Sequence, residues 1–196
     1  VQHILATHGE SLALFAAGLM TVLPAAAQNG MPPRLPVGWS AEARGRDDVV
    51  RRSNLPCSIN TIEARLKLST PQLRTKIVPT VGLDFIAPGS ALEMVMLHIE
   101  DNGDGKPLLL LKKYGGGKAV EDQRFPVTVA YGKDVAVSIG WDEAGVMTVT
   151  AGTAQMRMAL SAAPVAMEFV VQGGKGDVSG ARYSWQGTAK PACPQR

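Results

Sequence analysis

Residues 135–185 read VAVSIGWDEAGVMTVTAGTAQMRMALSAAPVAMEFVVQGGKGDVSGARYSW, and apolar and polar residues alternate through most of this stretch. Alternation with a period of two is typical of a β-strand with one buried face. The pattern predicts strands at Val135–Trp141, Val146–Ala151, Met156–Leu160, Val165–Gln172 and Ala181–Trp185. Residues that favour turns separate them at 142–145, 162–164 and 173–180.

The same alternation continues towards the N-terminus. Between residues 61 and 68, apolar residues at even positions alternate with polar and charged residues at odd positions. Leu92–Glu100 and Pro107–Tyr114 predict a hairpin around the turn-rich segment 101–106. Shorter strands are predicted at Val81–Phe85 and Phe125–Ala130, and this part of the sequence contains no convincing helix.

About ten short strands in succession predict an all-β protein, an antiparallel β-sandwich of the jelly-roll type. If this prediction is correct, the apolar positions of the alternating segments form a core between two sheets. The residues expected to be buried there are Ile62, Leu66, Val95, Leu97, Val137, Ile139 and Phe169.

The N-terminal residues differ in character from this region. A 12-residue apolar run at 12–23 precedes Ala25-Ala26-Ala27, the layout of a secretory signal peptide over residues 1–27. The run is shorter than a membrane-spanning helix, so no membrane span is expected in the mature chain. Residues 28–56 are interpreted as an extended lead-in with a short helix around 41–50, and residues 57–196 as the sandwich domain. The protein is therefore expected to be exported, to the periplasm or the extracellular space.

The chain has two cysteines, Cys57 and Cys193, near the two ends of the expected domain. An oxidising compartment favours a disulfide between them. A bond that closes so long a loop stabilises the fold by about 4 to 5 kcal/mol in the chain-entropy model. Two free thiols or a catalytic cysteine are the alternatives, although neither cysteine lies in a recognisable nucleophile motif.

Composition and charge exclude several classes of protein. The 196 residues are 45% hydrophobic and 19% charged, which suits one globular domain and not a disordered chain. The formal net charge is +3, and the basic residues are scattered rather than arranged in a stripe with aromatic residues between them. This arrangement argues against nucleic-acid binding, while it allows weak attraction to polyanions such as acidic polysaccharides.

Residues 135–185 resemble the C-terminal half of concanavalin A-like lectin/glucanase jelly rolls. In that superfamily a strand ends in a W-x-x-x-G hairpin, represented here by Trp141 and Gly145. A short return strand, a longer strand, a Gly-rich loop and a closing strand follow. The resemblance implies a two-sheet jelly roll and a carbohydrate or cell-envelope glycan as ligand.

Within this superfamily, the alginate-lyase-like polysaccharide lyases are the nearest catalytic comparison. Residues 61–65 keep the Glu and the second Arg of their R-[ST]-E-[LM]-R motif, and residues 96–98 keep the His of Q-I-H. Residues 168–172 keep only the Phe of Y-F-K-A-G-x-Y. The resemblance assigns catalysis to His98 and Arg65 if the protein is a lyase, whereas the missing Gln, Tyr and Lys argue against an intact lyase. The E-x-D-x-x-E run that glucanases need does not occur.

The candidate ligand-binding residues each have a structural alternative. Glu63, Arg65 and Lys67 project from one face of a strand, where they line a glycan groove or form a solvated, salt-bridged surface. Aromatic rings that stack on sugars are expected among residues that otherwise belong to the core: Tyr114, Trp141 and Tyr183.

His98 also has two interpretations. It shares a strand face with apolar residues such as Met96, which favours a hydrogen-bonded histidine near the edge of the core over a catalytic one. We expect it at the rim of the sheet, next to the 100–105 loop.

The 100–105 loop is a partial match to a calcium site. Glu100, Asn102 and Asp104 have the spacing of calcium ligands, but Leu111 occupies the place of the bidentate Glu. The loop is therefore interpreted as a tight hairpin turn, with calcium binding as the alternative, and no other cofactor is expected.

Two hypotheses of function follow from the sequence. The first is an exported, non-catalytic carbohydrate-binding or structural β-sandwich protein, which the incomplete catalytic motifs favour. The alternative is a divergent polysaccharide lyase that acts on an acidic glycan such as alginate.

Overall fold

The computed structural model describes residues 35–44, 48–71, 77–89 and 93–187. Within these ranges the chain forms twelve β-strands and no helix. The strands are β1 (Trp39–Glu42), β2 (Asp48–Asn54), β3 (Thr61–Pro71), β4 (Thr80–Ile86), β5 (Met94–Glu100), β6 (Leu108–Gly115), β7 (Lys118–Arg124), β8 (Val135–Trp141), β9 (Val146–Ala151), β10 (Ala154–Ala159), β11 (Ala166–Gln172) and β12 (Gly174–Ser184).

The strands form two sheets of six. Sheet A has the order β1-β12-β3-β8-β9-β10, and sheet B has the order β2-β11-β4-β5-β6-β7. The neighbouring strands pair in antiparallel fashion, as in β12 with β3 and β5 with β6. The predicted all-β sandwich of the jelly-roll type is therefore confirmed.

The hydrophobic core lies between the two sheets, where the strands of both turn one set of alternate side chains inward. All seven residues predicted to be buried are 5% exposed or less: Ile62, Leu66, Val95, Leu97, Val137, Ile139 and Phe169. Burying one such side chain contributes about 1.5–3 kcal/mol. Aromatic pairs also join the sheets, since Trp141 of sheet A lies against Phe85 of sheet B, with ring centroids 5.9 Å apart.

Part of the segment predicted as a lead-in belongs to the sandwich. β1 pairs with β12 at one end of sheet A, and β2 pairs with β11 at one end of sheet B. The helix predicted around residues 41–50 is wrong, because β1 ends and β2 begins in this segment. β11 and β12 would otherwise present unpaired edges, and the extended conformation of β1 and β2 supplies their hydrogen-bond partners.

The strand predicted at 125–130 is also wrong. The strand in this region is β7, which pairs with β6 across a two-residue turn formed by Gly116 and Gly117, both with positive φ. Paired glycines of this kind favour the tight turns of β-hairpins. The sequence pattern does not reveal β7 because it is an edge strand whose residues are nearly all exposed.

The Gly-rich segment predicted as a turn at 173–180 forms most of β12 instead. Gly176 faces the core, and a Cβ atom at this position would lie 2.6 Å from Cγ2 of Val81. The glycine is therefore required by close packing between the sheets and does not mark a turn.

Several sequence predictions fall on residues that are not described. The signal peptide at 1–27 and Cys193 lie outside the described ranges. Cys57 follows β2, and its disulfide with Cys193 stays a prediction. In the described ranges no helix has the length and apolar character needed to cross a bilayer.

Candidate functional site

The outer face of sheet A carries the charged residues that the sequence singled out. Glu63, Arg65 and Lys67 alternate along β3 with buried residues such as Ala64 and Leu66, so all three project away from the core. The prediction that they share one strand face is confirmed.

The neighbouring strands β8 and β9 form a low floor beside these side chains. The outward residues of β8 are Ala136, Ser138 and Gly140, and those beside them on β9 are Thr148 and Thr150. All are small or carry a hydroxyl group, so the surface along β8 is recessed between longer side chains. The register places Arg65 beside Ala136, Glu63 beside Ser138, and Thr61 beside Gly140.

Two clefts follow each other on this floor. The first has a volume of about 660 Å³, and the residues that line it include Glu63, Arg65, Ser138, Thr150 and Arg182. The second has a volume of about 280 Å³, and the residues that line it include Asn60, Thr61, Gly140, Thr148 and Arg157. Because Ser138 and Gly140 are successive outward residues of β8, the clefts are neighbours along that strand. We call the two clefts together the β8 groove.

A β-bulge in β12 gives the groove one of its cations. Val178 and Ala181 both face the core, although strict alternation would place them on opposite faces. The pairing with β3 shifts between Ser179 and Arg182, and Gly180 at the shift has a φ of +61°. The extra residue reverses the alternation, so that Arg182 lies on the outer face beside Glu63.

The groove carries a small net positive charge. Arg182 forms an exposed ion pair with Glu63, with Nη2 and Oε2 3.0 Å apart. Within the described ranges neither Arg65 nor Arg157 has an ion-pair partner, so both guanidinium groups are available to a ligand. The clefts are thus lined by three arginines and by two carboxylates, those of Glu63 and Asp142, which gives the groove a net charge of +1.

Lys67 lies on the same face but outside the residues that line either cleft. Its ammonium is 3.4 Å from Oδ2 of Asp177 on β12. Burial tends to raise the pKa of Asp177, but hydrogen bonds from Ser40 and Ser69 and the charge of Lys67 together lower it. Lys67 is therefore held in a salt-bridged surface, which is the structural alternative to a binding role.

The three aromatic residues predicted to stack on sugars do not converge. Trp141 reaches the second cleft but is only 7% exposed and packs in the core. The Tyr183 hydroxyl donates a hydrogen bond to the carbonyl oxygen of Pro36 at 2.7 Å, and burial raises the pKa of Tyr183 to about 12. Tyr114 belongs to β6 in sheet B. Among the residues that line its clefts, the groove therefore has no exposed aromatic ring, and it presents charged and hydrogen-bonding side chains instead.

His98 lies on the outer face of the other sheet, where it is only 4% exposed. Nε2 of its imidazole is 2.6 Å from Oδ1 of Asp84, and Nδ1 is 3.1 Å from Oε1 of Glu100. Lys112 donates to Oε2 of Glu100 at 2.6 Å. We call Asp84, His98, Glu100 and Lys112 the buried quartet.

The electrostatics of the quartet favour a charged histidine. Burial opposes protonation, but the nearby carboxylates of Asp84 and Glu100 outweigh it and raise the pKa of His98 to about 9. At neutral pH both ring nitrogens therefore carry a proton and donate to carboxylates, which leaves no nitrogen to act as a base. The prediction that His98 lies at the rim is wrong, since it pairs with Gly82 and Leu110 between neighbouring strands of sheet B.

His98 and Arg65 do not form one site. Arg65 projects from the outer face of sheet A and His98 from the outer face of sheet B, with the hydrophobic core between them. The structure therefore does not assemble the lyase site that the motif order predicts. Alternation along each strand gives the face of a residue, but only the strand order shows that the two faces are on opposite sides of the sandwich.

The candidate calcium loop is organised by a residue outside the predicted set. Asp101 accepts hydrogen bonds from the backbone nitrogens of Gly103 and Gly105 and from the Tyr131 hydroxyl. Asp104 accepts one from the nitrogen of Lys106, and Glu100 belongs to the buried quartet. Asn102 lies between them in the turn. Over the described ranges no group of three His, Cys, Asp or Glu residues is arranged to hold a metal ion.

Comparison with known proteins shows which solved structures have a similar fold. No protein-family model and no curated protein sequence matches the chain. Among solved structures it is similar to the carbohydrate-binding module CBM66 from Bacillus subtilis, with a TM-score of 0.53 and 10% identity over 76% of this chain and 95% of that one. It is also similar to CG-16, a homodimeric agglutinin from chicken liver, with a TM-score of 0.50 and 12% identity over 70% of this chain and 100% of that one.

A third similar structure is the Caenorhabditis elegans galectin LEC-6, with a TM-score of 0.50 and 10% identity over 79% of this chain and 99% of that one. At such low identity the likeness shows the fold alone. Together with the two six-stranded antiparallel sheets, it shows a β-sandwich fold of the jelly-roll type.

Proposed function

We propose that this protein is an exported, non-catalytic binding protein for a linear acidic polysaccharide, which lies along the β8 groove. The observation that carries the proposal is the low floor of β8, flanked by the guanidinium groups of Arg65 and Arg182. A floor of small residues admits a chain of sugar rings, and the cations beside it are placed to pair with acidic groups.

Arginine suits this role for a chemical reason. Its planar guanidinium offers pairs of N–H donors that match the two oxygens of a carboxylate or sulfate group. Hydroxyl groups of Ser138 and Thr150 on the floor are suited to sugar hydroxyls. The groove therefore matches a ligand that carries both hydroxyl and acidic groups.

The absence of exposed rings along the clefts favours an acidic glycan over a neutral one. Aromatic rings stack against the apolar faces of sugars, and Trp141 and Tyr183 are committed to packing and to an internal hydrogen bond. A ligand without charge would find only hydrogen bonds in an open groove. The similar solved structures support glycan binding as the class of function, although fold alone does not define a ligand.

The non-catalytic form of the proposal rests on the separation of His98 and Arg65. A lyase needs a base and a cation beside the same sugar residue, whereas these two lie on opposite sides of the core. His98 also donates from both ring nitrogens in its protonated form.

Affinity electrophoresis through gels that contain alginate, polygalacturonate or a neutral glucan tests the proposal. We expect the wild type to be retarded by an acidic polymer and not by the neutral one. Arg65→Ala should lose most of this retardation, whereas Arg124→Ala should not. Arg124 is the matched control because it makes the same change of charge at an exposed position of β7 in sheet B.

Two results would overturn the proposal. The first is equal retardation of wild type and Arg65→Ala, and the second is the release of unsaturated product from any polymer, measured by ultraviolet absorbance. The second result would restore the polysaccharide lyase alternative.

A further inference from the structure

We infer that the second cleft is a separate subsite for an acidic group of the same ligand, with Arg157 as its cation, so that the groove recognises an internal stretch of several sugars. This inference rests on the proposed function and deepens it. Its starting observation is that Arg157 belongs to the opposite wall of the groove from Arg65 and Arg182.

The strand register gives the separation of the two clefts. Arg65 pairs with Ala136 on β8, while Arg157 pairs with Thr148, which in turn pairs with Gly140. Ala136 and Gly140 are four residues apart on one strand, a distance of about 14 Å. Arg65 and Arg157 also lie three strands apart across the sheet, again about 14 Å. One sugar ring cannot contact both cations, whereas an oligosaccharide laid obliquely over the floor can.

The second cleft has a fixed wall on its β3 side. Asn60 donates from Nδ2 to the carbonyl oxygen of Gln186 at 2.9 Å, and its Oδ1 accepts from the Gln186 nitrogen at 2.8 Å. The Thr61 hydroxyl also donates to Oδ1 of Asn60. The side chain of Asn60 is therefore occupied in holding the wall and is not the ligand-binding group.

Arg157 is held in place from the other sheet. Gln123 of β7 donates from Nε2 to the carbonyl oxygen of Arg157 at 3.2 Å. This bond fixes the backbone of an edge strand, while the guanidinium group has no ion-pair partner in the part of the chain that the structure describes. Asp142, in the turn between β8 and β9, also lines this cleft, and its Oδ1 accepts a hydrogen bond from the backbone nitrogen of Val146. The subsite therefore combines an available cation with a backbone that does not need to reorganise on binding.

Two subsites in one groove predict that the affinity for an oligosaccharide depends on its length. A short acidic oligosaccharide reaches only one cation at a time, whereas a longer one engages both, and the second contact forms within the same complex. The affinity of the wild type for uronic-acid oligosaccharides of increasing length should therefore rise steeply once the oligosaccharide spans both clefts.

The test is calorimetric titration of the full chain with purified uronic-acid oligosaccharides from two to eight sugars. Arg157→Ala should weaken binding of the longest oligosaccharides about tenfold or more, the value of a charge-assisted hydrogen bond, and should leave the shortest unaffected. Arg124→Ala again serves as the control of charge. Gly140→Val provides a second variant, since it fills the floor of the second cleft without any change of charge.

The outcomes separate this inference from the proposed function. If long oligosaccharides bind Arg157→Ala and Gly140→Val as tightly as they bind the wild type, the second subsite is wrong while the proposed function stands. If the wild type binds no acidic oligosaccharide or polymer, the proposed function itself fails. A loss in Arg157→Ala that is equal at every length would also contradict a separate subsite.

Discussion

Gly180 determines the face of the sheet on which Arg182 lies. The bulge at Gly180 adds one residue to β12, and the residues after it exchange the core face for the outer face. If these same residues alternated regularly, with no bulge at Gly180, Arg182 would point into the hydrophobic core and the β8 groove would lose a cation. A backbone feature thus places a side chain that we assign to ligand binding.

Replacing Gly180 by alanine should affect both stability and binding. With a φ of +61°, a side chain at this position costs about 1–2 kcal/mol, so the free energy of unfolding should fall by about this amount. Any shift of the bulge to relieve this strain also displaces Arg182, and binding of acidic polymer should weaken. Urea denaturation and gel retardation measure the two effects.

Gly116→Ala is the control for this variant, because Gly116 has the same φ of +61° and lies in the β6–β7 turn away from the groove. It should lose similar stability and keep its affinity. Equal losses of affinity in both variants would show that the bulge has no special role.

The buried quartet predicts a dependence of stability on pH. The pKa of His98 is raised from 6.5 to about 9, so the folded state binds more protons than the unfolded state between these values. The stabilisation is complete below pH 6.5 and is lost as the pH rises through 9; it amounts to on the order of 3 kcal/mol. Urea denaturation at pH 6.5 and 9.5 should show the loss.

At acidic pH the stability of the fold depends on the ionisation of Glu100. Burial tends to raise its pKa, but the bonds from His98 and Lys112 lower it, so its stabilising contribution is present above pH 4.5 and is lost as the pH falls. We therefore expect the free energy of unfolding to be largest between pH 4.5 and pH 6.5, where both contributions are present. A free energy of unfolding that stays constant from pH 6.5 to 9.5 would contradict the assignment of a charged His98.

Gly82 provides the space for the His98 ring, which leads to a third prediction. A Cβ atom at residue 82 would lie 2.2 Å from Cδ2 of His98 and 2.4 Å from the carbonyl oxygen of Leu97. Gly82→Ala should destabilise the protein by about 1–3 kcal/mol, since the backbone of β5 cannot move without breaking its pairing. The free energy of unfolding in urea is the measurement.

Gly140→Ala is the matched control for Gly82→Ala. The nearest atom to a Cβ atom at residue 140 is 3.8 Å away, an ordinary contact. This variant should unfold much like the wild type. If the two alanine variants were equally stable, the close packing of His98 over Gly82 would be wrong.

A fourth prediction concerns export and covalent structure. Mass spectrometry of protein collected outside the cytoplasm should find Gln28 as the first residue and a bond between Cys57 and Cys193, because secretion exposes the chain to oxidising conditions. Cys57→Ser should then lower the free energy of unfolding by a few kcal/mol. Two unmodified thiols in the exported protein would contradict this prediction.

The sequence predicted the sandwich well where the strands have one apolar face. The alternation in β3 and β8 identified both the core residues and the outward position of Arg65. It did not identify β7, whose residues are nearly all exposed, or the start of β12, where Gly176 is needed for packing against Val81. In both cases the strand depends on its neighbours and not on its own pattern.

The candidate site was only partly predictable for the same reason. Arg182 and Arg157 gave no signal in the sequence, because a bulge brings one of them to the groove and the pairing of β9 with β10 brings the other. Trp141, one of the candidates for stacking on a sugar ring, lies in the core against Phe85, which was the structural alternative. Which residues meet on one face depends on strand order and register, and no local pattern encodes these.

The salt dependence of binding to an acidic polysaccharide tests the central claim most directly. Titration of wild type and Arg65→Ala with polyuronate over a range of ionic strengths measures how much of the affinity comes from charge pairs in the groove. The account predicts a wild-type affinity that falls steeply with added salt, and a lower affinity with a weaker salt dependence for Arg65→Ala. An affinity that is independent of salt, or one that is the same in wild type and Arg65→Ala, would contradict it.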